Sequence, residues 1–295
     1  MLNMIKIRKE KKKKDIFLSF RIKFKIKIMG KRLAVLRWYG GKFYMLKHIL
    51  PLLSQCNHKC YVEVFGGAGH VLFNKEPSPV EIYNDIDEDL VNFFRVIRDE
   101  EKFKVFREKI ELIPYSRVEF EFYKSFEPKD DVDRAIKFFV LVRQSFSSNM
   151  GTWSYGIKKN QAKAYFNAIQ DLDRLKQRIR NVQIECKDFR DVLKRYDSEE
   201  TLFYCDPPYV LRTRREKKSY RYEMTDEDHR DLVEMLLRVK GKVMLSGYRN
   251  EIYEVLEKAG WERRDYEVYL CADNQRLRGE RDKRVESLWL SPNFF

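Results

Sequence analysis

The stretch Tyr61-Val62-Glu63-Val64-Phe65-Gly66-Gly67-Ala68-Gly69 decides the fold. Its first five residues form a short, mostly apolar run of strand-favouring types. The next four hold three glycines, which let the backbone turn sharply and approach a ligand closely. An apolar segment through Val71, Leu72 and Phe73 then predicts a helix start. Alone, the glycines are weak evidence: a tight turn gives the same pattern, and their spacing is not that of a dinucleotide fingerprint. Moving outward, Glu81-Ile82-Tyr83-Asn84 reads as a second strand ending at Asp85, sixteen residues after Gly69. An open α/β sheet places a carboxylate there to accept the ribose hydroxyls of a nucleoside ligand. A helix N-cap role for Asp85 or Asp87 is the alternative.

Further outward the alternation continues. Trp38-Tyr39-Gly40-Gly41-Lys42 is a turn leading into a helical stretch, Tyr44 to Leu53. A helix from Asp87 to about Arg98 carries Leu90, Phe93, Phe94 and Ile97 at spacings of three and four. Strand patterns return at Val182–Glu185, Thr201–Tyr204, Lys242–Leu245 and Tyr266–Leu270, with a helix at Leu232, Met235, Leu236 and Val239. Such alternation implies an α/β domain with a mostly parallel sheet. Residues 100–180 break the pattern. They are helical in period, rich in aromatic and charged residues, and interrupted by the polar turn Ser145–Gly156.

Thr201-Leu202-Phe203-Tyr204-Cys205 runs directly into Asp206-Pro207-Pro208-Tyr209. Two prolines fix two φ angles and remove two N–H donors, and each restricts the residue before it. The loop is therefore stiff and presents carbonyls outward. Adenine N6 is a poor nucleophile because its lone pair is delocalised into the ring. A carboxylate and a backbone carbonyl that accept both N6 hydrogens would draw the nitrogen toward tetrahedral geometry and free that pair. The carboxylate bond, being charge-assisted, is the stronger. A tyrosine face beside the loop can stack on the base for roughly 1–3 kcal/mol. A rigid turn with an Asp cap is the bland alternative. It loses ground because the string ends a buried strand and lies about 140 residues beyond a matching glycine loop.

Together these residues resemble the D12-class DNA adenine methylases, with the α order of motifs. Arg37–Lys42 resembles the family's N-terminal cofactor motif, Tyr61–Gly69 its glycine motif, and Asn84-Asp85-Ile86-Asp87 its acidic strand end. Lys187-Asp188-Phe189 resembles the pair that brackets the cofactor's adenine, and Asp206–Tyr209 the catalytic loop. Tyr248, Glu286, Leu288 and Trp289 lie in stretches similar to phage-borne members, and the likeness spans about residues 33–293. It implies a Rossmann-like S-adenosylmethionine-dependent methyltransferase fold, methyl transfer to adenine N6 in double-stranded DNA, and base flipping. It implies catalytic residues Asp206, Pro207, Pro208 and Tyr209. The implied cofactor site is drawn from Trp38, Gly40, Lys42, Glu63, Phe65, Gly66, Gly67, Gly69, Asp85, Asp188, Phe189 and Asp206. Two positions depart from many members: Val64 stands where they have Pro, and Asp87 where they have Asn.

The predicted organisation is a basic N-terminal extension over residues 1–30, a catalytic domain over 31–99 and 181–295, and a helical target-recognition insert over 100–180. The chain has 295 residues and a net charge of +14, which suits a polyanionic partner. Nine of those charges lie in residues 1–28, where Phe20, Ile22, Phe24, Ile26 and Ile28 alternate with Arg21, Lys23, Lys25 and Lys27. This segment reads either as a DNA-binding arm or as an appendage encoded upstream of a start at Met29. Local features speak more directly for DNA. Leu211 to Tyr222 carries Arg212, Arg214, Arg215, Lys217, Lys218 and Arg221, and in position resembles the family's loop that closes on DNA. A solvated basic surface is the other reading. In the helical block, Arg143, Ser145, Asn149, Trp153 and Tyr155 combine donors with aromatics, as phosphate contact and base-edge reading require; a buried polar turn is the other reading there.

The remaining observations bound the problem. Five scattered cysteines (56, 60, 186, 205, 271) imply reduced thiols and a cytoplasmic setting, in a prokaryotic cell or for a mobile element acting there. Cys56-Asn57-His58-Lys59-Cys60 supplies three potential zinc ligands, but a closed site needs four, so no metal is expected. No apolar run approaches the roughly 20 residues that span a membrane. A DNA-binding protein without catalysis and a methyltransferase for RNA or protein are the competing readings. A cognate restriction endonuclease and the choice between monomer and weak dimer stay open.

Overall fold

The structure is a computed structural model that describes residues 32–214, 220–269 and 283–295. The chain divides into Met1–Leu33 and Ala34–Phe295, and the fold is that of the second unit. The basic extension lies outside the described residues, as do Arg215, Lys217, Lys218 and Cys271.

The strands are β1 (Cys60–Glu63), β2 (Val80–Asn84), β3 (Gln183–Glu185), β4 (Thr201–Cys205), β5 (Lys242–Gly247), β6 (Glu262–Tyr269) and β7 (Lys283–Leu290). They form a seven-stranded sheet in the order β3-β2-β1-β4-β5-β7-β6. The first five pair in parallel, while β7 runs antiparallel to both β5 and β6. The strand order reverses at β1, which has β2 on one side and β4 on the other. In an open α/β sheet a ligand crevice forms at that reversal, beyond the carboxyl ends of the strands. The fold is thus the expected Rossmann-like α/β one.

Central parallel strands are covered on both faces and so read as continuous apolar runs. β4, TLFYC, is buried at all five positions. Val62, Phe203, Leu245 and Trp289 join one core across four strands. The helices are α1 (Leu46–Leu53), α2 (Glu88–Arg98), α3 (Glu100–Glu111), α4 (Arg117–Ser125), α5 (Asp131–Gln144), α6 (Gln161–Gln170), α7 (Leu172–Ile179), α8 (Phe189–Tyr196), α9 (Asp226–Leu236) and α10 (Glu254–Lys258). Aromatic rings tie the helical block to the sheet layer through α2: Phe93 stacks on Phe139 at 5.8 Å, and Phe106 meets Phe139 edge-on at 6.0 Å.

Three local expectations change. The helix predicted after the glycine loop is a single irregular turn, with Phe73 N–H donating to Gly69 O and Lys75 N–H to Val71 O. Lys75 is drawn inward to Glu81, and Pro77 and Pro79 follow at once, so no second turn can form. The helix expected from Tyr44 starts as a 3-10 turn over Lys42–Met45, and the α-helix begins at Leu46. β7 has no sequence counterpart, because KRVESLWL turns apolar only toward its end; pairing on both sides is what makes it a strand.

The polar turn after α5 is a tight loop. Ser145 and Trp153 form an antiparallel bridge, and Phe146 N–H donates to Thr152 O at 2.7 Å. Ser147, Ser148 and Met150 sit at φ of 49°, 59° and 54°, left-handed values that non-glycine residues rarely adopt. Asn149 Oδ1 accepts from the Gly151 and Thr152 amides, and Ser145 Oγ from Met150, which holds the strained backbone in place.

Candidate active site

The loops after β1, β2 and β4 meet at the carboxyl edge of the sheet around a cavity of about 460 Å³. Trp38, Gly40, Lys42, Glu63, Phe65, Gly66, Gly67, Asp85, Asp188, Phe189, Asp206 and Pro208 all line it. Residues predicted from segments as far apart as Trp38 and Asp206 therefore share one wall. Gly69, Pro207 and Tyr209, predicted beside them, are not among its lining residues.

The glycine loop continues the ladder beyond β1. Val64 N–H donates to Tyr204 O at 3.0 Å, a bond that proline could not make, and Gly66 N–H donates to Asn84 O at 2.7 Å. Gly67 sits at φ +48°, and a Cβ there would lie 2.9 Å from the Trp38 ring. Only glycine allows this turn and the approach of Trp38. Asp85 clasps the loop: Oδ2 accepts from Gly67 N–H at 2.7 Å and Oδ1 from Asp87 N–H at 2.9 Å. Each oxygen keeps a further lone pair for a ligand. Burial pushes the Asp85 carboxyl up to about 6, against the lowering by those amides. Asp87 takes the N-cap of α2, accepting from Asp89 and Leu90 N–H.

Glu63 ends β1. It is buried, and its Oε2 accepts from Tyr61 Oη at 2.8 Å and Leu72 N–H at 2.7 Å. Burial pushes its carboxyl up to about 8, in spite of both donors. On the opposite wall, Asp188 caps α8 and pairs with Arg190, which also reaches Asp228 and Asp231. The Phe189 ring lies against Phe65 at 5.5 Å and under the Arg190 guanidinium at 4.4 Å.

Asp206 follows β4 directly. Its Oδ1 faces Lys42 Nζ at 2.8 Å, with the lysine side chain 3% exposed and the aspartate 15%. Lys42 Nζ also donates to Gly40 O at 2.7 Å. Lys42 and Ser246 both bond the Asp206 side chain, and the residue lines the cavity. Burial pushes the Asp206 carboxyl up to about 6; Lys42 opposes this and Glu286 reinforces it. Burial by itself would lower the Lys42 ammonium, but Asp206 and Glu286 outweigh that and hold it above its usual value. Tyr209 is buried, its ring 4.6 Å from Lys42 Nζ and edge-on to Tyr248 at 4.7 Å.

Several contributors were assigned no role from the sequence. Asn84 staples two loops, donating to Val64 O and Lys187 O and accepting from Lys187 N–H. Glu286 on β7 is buried behind Lys42 and accepts from Tyr44 and Tyr209. Tyr220 packs onto Gly40, which at φ +72° has room for no Cβ: one would lie 2.2 Å from Tyr220 Oη. Asn84 stood in the acidic strand-end motif and Glu286 in a stretch similar to phage-borne members, each without a role assigned to it.

The residues expected to touch DNA separate into two groups. Asn149 and Tyr155 are exposed on the strained turn, and Trp153 stacks against Tyr155 at 6.4 Å. Arg212 is partly exposed and pairs with Asp226 and Glu251. Arg143, Ser145 and Arg214 point inward instead. Arg143 is 5% exposed and donates to Ala164 O, Ser145 holds Met150, and Arg214 is clamped by Glu223. A charge so enclosed is held by internal partners and cannot reach a phosphate without breaking them. Arg221 bridges to Asp87 and Asp89 across the mouth of the cavity. His58 engages Cys56 O and Ser78 Oγ, and among the described residues no cluster of three or more His, Cys, Asp or Glu could hold a metal ion. Among them, too, no helix is long and apolar enough to cross a membrane.

Comparison with known proteins agrees with this geometry. Residues 38–269 match the family described as D12 class N6 adenine-specific DNA methyltransferase. A Type II methyltransferase, M.MjaIII, of Methanocaldococcus jannaschii is 30% identical over 254 residues, covering 73% of this chain and 84% of that protein. A DNA adenine methylase of Vibrio cholerae is 28% identical over 193 residues, covering 62% of this chain and 67% of the relative. A DNA N-6-adenine-methyltransferase of Escherichia phage P1 is 27% identical over 60% of this chain but only 24% of its own length. The matched span contains the glycine loop, Asp85, Asp188 and the Asp-Pro-Pro-Tyr string, and the chain belongs to the D12 class of N6 adenine-specific DNA methyltransferases.

Proposed function

We propose that this chain takes its methyl group from S-adenosylmethionine and places it on N6 of an adenine turned out of duplex DNA, at a specific recognition sequence. The observation that carries the reading is one cavity lined at once by Asp85, Asp188 and Asp206. Its volume falls within the roughly 300–1,000 Å³ usual for ligand sites. The lining fits the donor: Asp85 offers free lone pairs to ribose hydroxyls, Phe65 and Phe189 offer apolar faces to a purine, and Trp38 closes over Gly67. When bound, S-adenosylmethionine supplies an electrophilic methyl on a sulfonium. This chain's own residues do the rest. The Asp206 carboxylate accepts a hydrogen bond from one hydrogen of the target amine, and a carbonyl of the proline-stiffened loop accepts one from the other. Lys42 holds Asp206 as the carboxylate. The walls exclude water and align the amine, so catalysis is chiefly positioning and electrostatics.

An adenine inside a duplex cannot reach this cavity, and turning it out costs a few kcal/mol. We assign DNA contact to Asn149, Trp153 and Tyr155 on the strained turn, with exposed Phe146 beside them, and to Arg212 next to the catalytic loop. The helical block over residues 100–180 then carries target recognition. Arg143, Ser145 and Arg214 support these segments from within. The test is transfer of labelled methyl to duplex DNA, followed by methylation-sensitive sequencing. N6-methyladenine at one short motif is expected. Label in RNA or protein in preference to DNA, or failure to retain labelled donor in equilibrium dialysis, would overturn the reading.

A further inference from the structure

Glu286 is buried at 1% exposure, yet no residue of the catalytic loop was expected to need it. It stands on β7 just past the Gly247–Ser287 pair, so the antiparallel strand delivers it to the carboxyl edge of the parallel ones. Its Oε1 accepts from Tyr44 Oη and its Oε2 from Tyr209 Oη at 3.4 Å. Ser246 on β5 lies 3.1 Å from the same Tyr209 hydroxyl. Tyr44 shares the 3-10 turn Lys42–Met45 with Lys42, and the Tyr209 ring is 4.6 Å from Lys42 Nζ. Glu286 therefore grips both neighbours of Lys42 without a hydrogen bond to Lys42 itself. Lys42 in turn faces Asp206 Oδ1 at 2.8 Å.

We propose that Glu286 is a positioning residue for methyl transfer, which through Tyr44 and Tyr209 fixes Lys42 and so aims the Asp206 carboxylate at the target amine. The proposal rests on Asp206 being the group that accepts from that amine. It has an electrostatic side as well. Among the described residues, besides Lys42 and Glu286, the titratable groups facing Asp206 are Glu63 on β1, Cys205 on β4 and the phenols of Tyr44, Tyr204, Tyr209, Tyr220 and Tyr253. Burial holds that thiol and those phenols in the neutral form, and Glu63 is pushed up to about 8. Glu286 adds a like charge that raises Asp206, so removing it lowers the pH at which Asp206 protonates.

The experiment is a steady-state pH profile of the full chain for Glu286→Gln and Tyr44→Phe, with donor dissociation constants and melting temperatures measured alongside. Glu286→Gln keeps the shape and removes the charge. It is expected to lower kcat about tenfold or more, leave KM for DNA within about threefold, and move the acid limb of kcat to lower pH. Tyr44→Phe removes one donor and keeps the charge, so kcat falls while the acid limb stays or moves up. Unchanged kcat and limb in Glu286→Gln overturn the proposal. So does a loss of kcat that tracks melting temperature with no movement of the limb, since a merely structural role gives that. If Glu286→Gln does not fold, Tyr44→Phe decides: kcat reduced in a stable protein supports the proposal, and unchanged kcat overturns it. Asp206→Ala is run beside them. Transfer that survives in Asp206→Ala refutes the reading beneath the proposal, whereas a dead Asp206→Ala with an unaffected Glu286→Gln refutes the proposal alone.

Discussion

Two buried clusters in this protein each combine carboxylates with cationic side chains and behave in opposite ways. Behind β2, Glu81 is shared by Lys75 and Arg178, with Ser78 N–H donating to Oε1 at 3.0 Å and Arg178 donating also to Leu72 O. Burial alone would raise the Glu81 carboxyl, but Arg178 and Lys75 more than offset it and hold it below the usual carboxylate range. At the carboxyl edge of the sheet the ratio is inverted: one lysine, Lys42, serves two carboxylates, Asp206 and Glu286. Burial pushes Asp206 up to about 6, and Lys42 at 2.8 Å is its one cationic partner among the described residues. The first cluster is saturated and its carboxylate is at rest. The second carries two carboxylates to one ammonium, an excess of negative charge that favours accepting hydrogen bonds from a substrate amine. A perturbed carboxylate in a cleft points to chemistry, a satisfied one to structure.

This contrast makes predictions that separate activity from stability. The largest effect is expected at Asp206. Asp206→Ala should lower kcat by at least about 10³-fold with an unchanged circular-dichroism spectrum; full adenine methylation by the purified variant would remove Asp206 from catalysis. Next comes Glu81→Ala, which leaves Lys75 and Arg178 buried without a counter-charge and should cost roughly 3–5 kcal/mol in denaturant unfolding. Activity per folded molecule should persist, and a change of kcat instead of stability would reverse the distinction drawn between the clusters.

Glu63 comes third. Its carboxyl is raised from 4.5 to about 8 in the folded chain, so its contribution to stability is full below 4.5 and is lost as pH rises through about 8. Glu63→Gln should therefore melt like the parent at pH 5 and be more stable at pH 9, by on the order of 2–4 kcal/mol. Melting curves that stay parallel across that window would show that Glu63 is not held protonated by its burial. The smallest effect belongs to an exposed pair. Lys109 is 49% exposed and meets Asp133 at 2.9 Å, so Lys109→Ala should change stability by less than about 1 kcal/mol. A loss as large as that of Glu81→Ala would mean that burial is not what distinguishes these pairs.

Much of the site was legible in the sequence because its parts are local. Glycines at a strand end, a carboxylate at the next strand end and two prolines after a third each constrain their own backbone, and each constraint shows in a few adjacent letters. Glu286 was not legible as a member of the catalytic cluster. KRVESLWL carries no signal that its fourth residue faces Lys42, more than two hundred positions earlier; β7 pairing brings them together. The helix read after Gly69 failed for a related reason. Val71, Leu72 and Phe73 are an apolar run that could open a helix, but the capture of Lys75 by Glu81 ends the turn, and that capture is a tertiary event. Arg143 and Arg214 looked like DNA contacts because their letters are basic; burial against Ala164 and Glu223 is invisible in one dimension.

The sequence by itself determined the strand-and-loop units and the chemistry at their ends, since backbone stiffness, glycine freedom and a carboxylate's acceptor capacity are properties of the residues themselves. Only the tertiary structure decided which charges face each other and which face water. Desolvation and proximity set the state of a charge, and both arise when distant segments close over it. That is why the two lysines of similar burial, Lys42 and Lys75, end as partners in a reactive cluster and in a saturated one.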